Sequence, residues 1–217
     1  MVRVLAKDFS GPAARIAAPH RSLDFRRLLG NEAWSRLPAA VQHRFGPHAE
    51  GIHIVYDGRM EVEASPFGWL VAQVCRLIGT PLAPWTGPDV PTSVDVHLDH
   101  RGGLVWARTY NFTGHAPILV SSTKLMDLDG GLLEVVRGGL GMALTVSVED
   151  AALHFRSRYY FVGLGPLRLR IPGLLTPGRA HVVHRDLGGG TFRFSLDFHH
   201  PWLGRTLFQD GVFRDPA

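Results

Sequence analysis

Apolar and polar residues alternate along most of the chain after Thr92, as they do in β-strands with one dry and one polar face. Strands this close in sequence are expected to pair as antiparallel neighbours. Because open sheet edges promote aggregation, the sheet is expected to curl into a barrel or a strongly bent half-barrel. The alternation predicts nine strands, over 92–99, 103–112, 116–126, 131–137, 142–149, 152–162, 179–186, 191–199 and 204–213.

The first part of the chain follows helical spacing instead. Ser22 offers an N-cap for a first short helix, a second is expected over 39–45, and 66–78 carries one apolar stripe that predicts a third. Between them, 51–64 alternates, and its Asp57-Gly58 pair predicts a hairpin turn. The N-terminal part therefore contributes short helices and one hairpin.

These elements indicate one α+β domain that is mainly β. Short N-terminal helices are expected to pack on a strongly curved antiparallel sheet or a lipocalin-like β-barrel of about nine strands. The domain is expected to span 22–217, after a flexible arm over 1–21. Because 163–178 is rich in Pro and Gly, it predicts a long loop between two strands. No apolar stretch in the arm is long enough for a secretory signal, so a cytoplasmic location is expected.

Composition narrows the function classes. The chain has 217 residues, of which 45% are apolar, and this excludes an unfolded chain. No run of residues approaches the roughly 20 apolar residues of a membrane helix, and arginines are scattered rather than clustered. Neither a nucleic acid nor a membrane is therefore expected as a partner, and the oligomeric state is left open. The single Cys75 excludes a disulfide framework and indicates a buried small side chain on the third helix.

Several predicted strands carry aromatic residues along one side, with a few polar groups among them. Such rows either fill a small barrel or line the ligand cavity of a larger one, and the sequence leaves both alternatives open. In the second case the rows identify a hydrophobic small molecule as the partner. The residues predicted to contact it are Trp106, Tyr110, Ser122, Phe155, Tyr159, Phe194 and His200.

Three ionisable residues are candidates for catalysis. Glu134 lies in an otherwise apolar strand, so its carboxylate must be paired, lie on an exposed edge, or have a raised pKa. Arg108 stands among aromatic residues and either stabilises negative charge or forms a structural ion pair with Glu134. His199 ends a predicted strand beside His200, and one of the two can face the cavity rim as a base.

Metals and cofactors are not expected. His97 and His100 stand beside Asp95 and Asp99, but no further ligand pair is recognisable. A nucleophile elbow, a phosphate-binding loop, a dinucleotide fingerprint and a zinc-protease motif are all missing from the sequence. Any chemistry would thus be carried out by side chains alone.

Short motifs at the start, middle and end of the chain occur in a recognisable order. They are Leu28-Leu29-Gly30, Trp34, Leu37-Pro38, Val41 and Arg44-Phe45; Trp106-Ala107-Arg108, Ser122, Leu133-Glu134 and Gly138-Gly139; and His200-Pro201-Trp202-Leu203-Gly204 with Phe208-Gln209-Asp210-Gly211-Val212-Phe213. With these motifs, residues 22–213 resemble the bacterial domain-of-unknown-function family 4166. The resemblance implies a standalone member of a family that is often fused behind a short-chain or saccharopine-type dehydrogenase domain. It also implies that Arg108, Glu134 and His199-His200 are family-like polar positions.

Two functions follow from these observations as hypotheses. The first is a cofactor-independent enzyme that cyclises, isomerises or eliminates from a hydrophobic intermediate of specialised metabolism, with Glu134, Arg108 and His199 as the catalytic residues. The second is a binding or carrier module for an apolar ligand, or a partner of a separate dehydrogenase, which needs no ionisable group in the cavity.

Overall fold

The structure, a computed structural model, describes residues 23–77, 82–164 and 167–216. Within them the alternating sequence forms eleven strands: β1 (Ile54–Ala64), β2 (Gly87–Leu98), β3 (Leu104–Tyr110), β4 (Ile118–Met126), β5 (Leu132–Val136), β6 (Leu140–Glu149), β7 (Ala152–Leu164), β8 (Leu167–Ile171), β9 (Arg179–Gly188), β10 (Thr191–His200) and β11 (Gly204–Arg214). The helices are α1 (Phe25–Leu29), α2 (Asn31–Ser35), α3 (Ala39–Arg44) and α4 (Pro66–Leu77), with one 3₁₀ turn over Gly173–Leu175.

The strands form a closed antiparallel barrel. Their order is β6-β5-β4-β3-β2-β1-β11-β10-β9-β7, and pairing of β6 with β7 closes the ring of ten. The short β8 pairs with the last part of β7 and extends beyond the ring. The predicted mainly β fold and its barrel are therefore confirmed, and the nine predicted strands correspond to β2–β7 and β9–β11.

The hairpin predicted within 51–64 is wrong, because β1 runs through Asp57 and Gly58 without a turn. Gly58 pairs with Phe213 on one side and Thr92 on the other. A Cβ on Gly58 would overlap the carbonyl oxygen of Val212 and the ring of Phe213. The glycine thus permits close packing between strands. From the sequence alone, an Asp-Gly pair is compatible with either a turn or such a close contact.

The long loop predicted over 163–178 is wrong in its first half, where β8 forms. Leucine and arginine alternate in this strand, and Arg168 donates to both oxygens of Asp127, at 2.6 and 2.8 Å. The alternation and this ion pair outweigh the flanking Pro and Gly residues. Of the described residues in this range, only 172–178 are irregular, around the 3₁₀ turn.

Helices α1–α3 close one end of the barrel, called the floor below. Phe25 and Phe45 meet edge to face with ring centroids 5.2 Å apart, and Phe45 stacks on Trp106 at 5.6 Å. Asp24 caps α1 by accepting a hydrogen bond from the backbone N of Arg27 at 3.1 Å. The predicted cap and the predicted arm over 1–21 lie outside the described residues.

Helix α4, which the sequence predicts, lies at the opposite end, called the mouth below. A Cβ on Gly68 would overlap the carbonyl of Thr206, so the helix rests directly on the start of β11. Its apolar stripe includes Phe67, Val71 and Cys75, which line a cavity inside the barrel. The mouth is therefore covered in part by a helix and leads to a hollow interior.

Candidate functional site

A cavity of about 490 Å³ occupies the barrel interior. This volume falls within the range of small-molecule sites, and it answers the question that the sequence left open between a filled and a hollow barrel. Phe45 lies at its floor. The side chains of Leu70, Val74, Leu174 and Leu175 belong to its lining and are also exposed to solvent, so the cavity opens between α4 and the 3₁₀ turn.

A buried polar cluster interrupts the apolar wall. Lys124 on β4 faces Glu134 on β5, and its Nζ lies 3.2 Å from Oε1 of that carboxylate. Arg108 on β3 donates from Nη2 to Ser122 Oγ at 3.0 Å, and Ser122 donates onward to Glu134 Oε1 at 2.6 Å. The Arg108 guanidinium itself is 3.8 Å from the same oxygen. Two cations and a hydroxyl thus converge on one carboxylate oxygen.

Three members of this cluster, Arg108, Ser122 and Glu134, were predicted from the sequence, and Lys124 was not. The structure brings Arg108, Ser122 and Glu134 together from three adjacent strands. Lys124 is two residues from Ser122 and therefore points to the same side of β4. That spacing, together with the absence of any other lysine after residue 7, was the signal available in the sequence.

The pKa values in the cluster favour an ionised carboxylate. Burial alone would raise the pKa of Glu134, but Lys124 and Arg108, with the hydrogen bonds from Ser122 and Lys124, lower it below its usual range. Burial lowers the pKa of the Lys124 ammonium, and Glu134 offsets this only in part. The cluster therefore holds a fixed negative charge beside a lysine whose proton is less tightly held than in water.

Some of the aromatic residues that the sequence predicted to contact a ligand surround this cluster, and others do not. Trp106, Phe155 and Phe194 line the cavity, and Lys124 Nζ lies 5.0 Å from the Trp106 ring centroid. Tyr110 does not line it: the side chain is fully buried, and its hydroxyl donates to Gln209 Oε1 at 2.8 Å.

A β-bulge in β7 decides which tyrosine faces the cavity. The register with β6 slips between Ala143 and Leu144, so the residues beyond Ser157 change sides. Tyr160 therefore lines the cavity, and its hydroxyl donates to the Gly178 carbonyl at 2.7 Å. The predicted Tyr159 lies outside, where Arg170 stacks on its ring at 4.0 Å.

The two histidines at the end of β10 do not join the cluster. His199 is exposed and lies outside the cavity lining, because it follows Phe198, which faces the cavity, and successive strand residues point to opposite faces. His200 is buried, and its Nδ1 accepts hydrogen bonds from the backbone N of Trp202 and Leu203, both at 3.3 Å. His200 therefore holds the turn between β10 and β11. Because His199 lies outside the cavity, it is not placed to transfer a proton to or from Glu134.

Residues 37–213 match the model of a protein family described as Domain of unknown function (DUF4166). The chain belongs to this family. The match spans the barrel up to the penultimate residue of β11 and includes every member of the polar cluster. No curated protein matches the sequence. In the part of this DUF4166 chain that the structure describes, no helix has the length and apolar character needed to cross a bilayer.

His184 is the histidine that lines the cavity of this DUF4166 barrel. Its ring stacks on Phe192 at 4.4 Å and meets Phe45 edge to face at 4.9 Å. Burial, with a smaller contribution from the Arg44 cation, lowers its pKa to about 3. His181 and His184 are three residues apart and therefore lie on opposite faces of β9, so at most one of them can point inward.

We expect the His184→Phe variant to lose part of the acid sensitivity of the fold. Between about pH 3 and the ordinary value of 6.5, the unfolded chain binds a proton that folded His184 does not. Stability therefore falls as pH falls through this window, by up to roughly 1.4 kcal/mol per pH unit, and Phe removes this contribution. Urea unfolding at several pH values between 4 and 7 measures the slope. Val212→Phe, which adds a ring at an exposed position and removes no titratable group, should keep the wild-type slope, and equal slopes for wild type and His184→Phe would contradict the assignment.

A group of potential metal ligands lies on the outer wall of the barrel, away from the cavity. His53, Asp95 and His97 offer ligand atoms within 4.8 Å of one another. Asp95 accepts from both rings, at 2.9 Å from His53 Nδ1 and 3.3 Å from His97 Nδ1. The partner of His97 is thus His53 from the segment before β1, and not His100 as the sequence spacing suggested. This group is separate from the cavity.

Proposed function

We propose that this DUF4166 chain binds a hydrophobic small molecule that carries an anionic group. Its apolar part would fill the barrel, and its anionic group would meet Lys124 and Arg108. The observation that carries the proposal is the composition of the cavity wall, in which mostly apolar side chains surround a cluster of two cationic residues and one carboxylate. A guest anion would complete the charge balance of that cluster.

Buried nitrogen atoms without a protein partner support the proposal. Among the described residues, Trp106 Nε1, Arg108 Nε and both ring nitrogens of His184 are buried without a hydrogen bond, and all three residues line the cavity. A buried polar atom left unpaired costs about 1–3 kcal/mol. Acceptor atoms of a guest would supply the partners that the Trp106 and Arg108 donors need.

A cofactor-independent acid–base enzyme is the second candidate. The observation in its favour is the lowered pKa of Lys124 in a cavity, a combination that is frequent at catalytic sites. Binding is the better-supported function because Glu134, the expected acid or base, is ionised and accepts from both Ser122 and Lys124. Among the described residues, no histidine forms a hydrogen bond with Glu134.

Native mass spectrometry of the purified protein and a fluorescence titration test the proposal together. The titration uses cis-parinaric acid, a long-chain fluorescent carboxylate, and its methyl ester. A co-purified lipophilic mass is expected, and the acid should bind about tenfold or more tightly than the ester, a difference of about 1.4 kcal/mol. Absence of binding by either probe would overturn the proposal, and conversion of a bound compound would instead favour the enzyme.

We expect Val120→Trp to weaken binding of both probes at least about tenfold. Val120 is a buried cavity-lining residue opposite Arg108 in the β3–β4 register, so an indole there occupies guest volume. Val212→Trp is the control, since Val212 is exposed on β11 outside the cavity lining. Circular dichroism confirms that both variants fold. Unchanged affinity in a folded Val120→Trp protein would place the probe outside the barrel.

A further inference from the structure

Acidic residues are absent from the strand connections at the mouth. The antiparallel ring places five connections there, whose described residues are 65–77 with 82–86, 111–117, 137–139, 167–178 and 201–203. The carboxylates that flank the first of them are Glu63 on β1 and Asp89 on β2, and Asp89 is paired with Arg59. At the floor, the connections 99–103 and 150–151 each contain an Asp, while Asp127 of the connection 127–131 reaches Arg168 of β8.

The mouth is also rich in arginine. Arg76, Arg137 and Arg170 are exposed in these connections, with Arg179 exposed at the start of β9, and none forms an ion pair with a described carboxylate. Two further arginines at this end are paired, Arg168 with Asp127 and Arg205 with Asp197. This end therefore presents a net positive charge that the fold does not neutralise.

Large apolar side chains are exposed around the same arginines. Of the sixteen exposed large apolar residues that the structure describes, ten belong to the mouth: Trp69, Leu70, Val74, Leu164, Leu167, Leu169, Leu174, Leu175, Trp202 and Leu203. Leu175 is 73% exposed and Trp202 is 75% exposed. Trp202 contacts the His200 ring at 6.3 Å, and that ring lies 5.6 Å from Phe67 of the cavity lining. The exposed tryptophan is therefore beside the cavity opening.

We propose that the mouth docks on the surface of an anionic membrane, with Trp202 and Leu175 at headgroup depth and the unpaired arginines on lipid phosphates. Tryptophan with exposed leucine favours the membrane interface, and guanidinium groups bind phosphate. A second copy of the chain fits this surface poorly, because two such faces would oppose arginines without carboxylates. If the proposed function is correct, docking turns the cavity opening toward the bilayer, from which a hydrophobic guest can enter directly.

Vesicle co-sedimentation of the whole chain tests the docking. Wild type should bind vesicles of phosphatidylcholine mixed with phosphatidylglycerol, should bind pure phosphatidylcholine vesicles at least about tenfold more weakly, and should release from the mixed vesicles in high salt. Equal binding to the two compositions, or binding to neither, would overturn the proposal. A stable dimer in the absence of lipid that buries Trp202 would overturn it as well.

Matched variants locate the docking surface. Leu175→Ser and Arg137→Glu at the mouth should each lower affinity for the mixed vesicles about tenfold. Leu187→Ser and Arg214→Glu are the controls, since both residues are exposed at the floor ends of β9 and β11. Equal losses in the floor variants would overturn the assignment of the surface.

Two further variants separate docking from guest binding. Trp202→Ser should lose vesicle binding and keep the parinaric acid titration, because Trp202 does not line the cavity. Val120→Trp should behave in the opposite way. Failure of docking and failure of the proposed function are thereby distinguishable. Vesicle binding that persists unchanged in a Trp202→Ser, Leu175→Ser double variant would contradict docking alone.

Discussion

Replacement of Arg44 by Met is expected to lower the free energy of unfolding by roughly 3–5 kcal/mol, the usual cost of removing one partner from a buried ion pair. The Arg44 side chain is only 2% exposed. Its guanidinium donates to both oxygens of Asp215 at 2.7 Å and to Asp186 at 2.9 Å. It also lies over the Phe192 ring at 4.6 Å. One side chain thus ties α3 to the ends of β9 and β11.

Urea unfolding at pH 7 measures this loss, and Arg193→Met is the matched control. Arg193 makes a similar two-pronged ion pair with Asp210, but its side chain is 57% exposed. Exposed pairs contribute about 0–1 kcal/mol because water screens the charges and competes for the hydrogen bonds. If both variants lost the same free energy, burial would not be the reason for the strength of the Arg44 network.

The Arg44 network also has a predictable pH dependence. The hydrogen bond from Arg44, with its charge, lowers the pKa of Asp215 below the ordinary value of 3.8. A lowered folded-state pKa means that this stabilisation is present above about pH 4 and is lost as pH falls through the folded-state value. We therefore expect the stability difference between wild type and Arg44→Met to be constant from pH 7 to 5 and to shrink below pH 4.

The sequence predicted elements well where side-chain alternation alone determines them. Nine strands and α4 followed from the spacing of apolar residues along the chain, and closure of the barrel followed from the cost of open edges. The prediction of the 51–64 hairpin failed because Gly58 serves the packing of Phe213 across strands, and no local pattern reveals a neighbour that is distant in sequence. The local residue pattern determines whether a segment forms a strand or a helix, while close contacts between strands depend on the assembled barrel.

The same distinction explains the candidate site. Arg108 and Glu134 were identified because each interrupts an apolar or aromatic row, and the barrel register brings those rows together with Ser122 of β4. Tyr159 was chosen over Tyr160 because parity counting assumes an unbroken strand, and the bulge in β7 reverses it.

The expectation of no membrane partner rested on the lack of a spanning segment. A docking surface assembled from several connections gives no such signal in the sequence.

Glu134→Gln is expected to strengthen binding of parinaric acid while it destabilises the unliganded protein. Gln keeps an oxygen for the Ser122 hydroxyl but leaves Arg108 and Lys124 without a buried counter-charge, at a cost of roughly 3–5 kcal/mol. A guest carboxylate then takes over the role of Glu134, so affinity for the acid should rise at least about tenfold. Lys124→Met should instead weaken binding of the acid, because one of the two cations that would contact the guest carboxylate is lost. Urea unfolding and the fluorescence titration measure the two effects separately.

The opposite signs of these two variants distinguish guest recognition from a purely structural ion pair. If Glu134 and Lys124 only stabilised the wall, both single variants would loosen the cavity and weaken the acid and its ester alike. The Glu134→Gln, Lys124→Met double variant removes the pair together, so it should recover much of the stability that Glu134→Gln loses. With Arg108 as the remaining cation, it should still bind the acid more tightly than the ester. Loss of that preference in the double variant would mean that Arg108 does not contact the anionic group, and the guest would then have to be recognised by Lys124 alone.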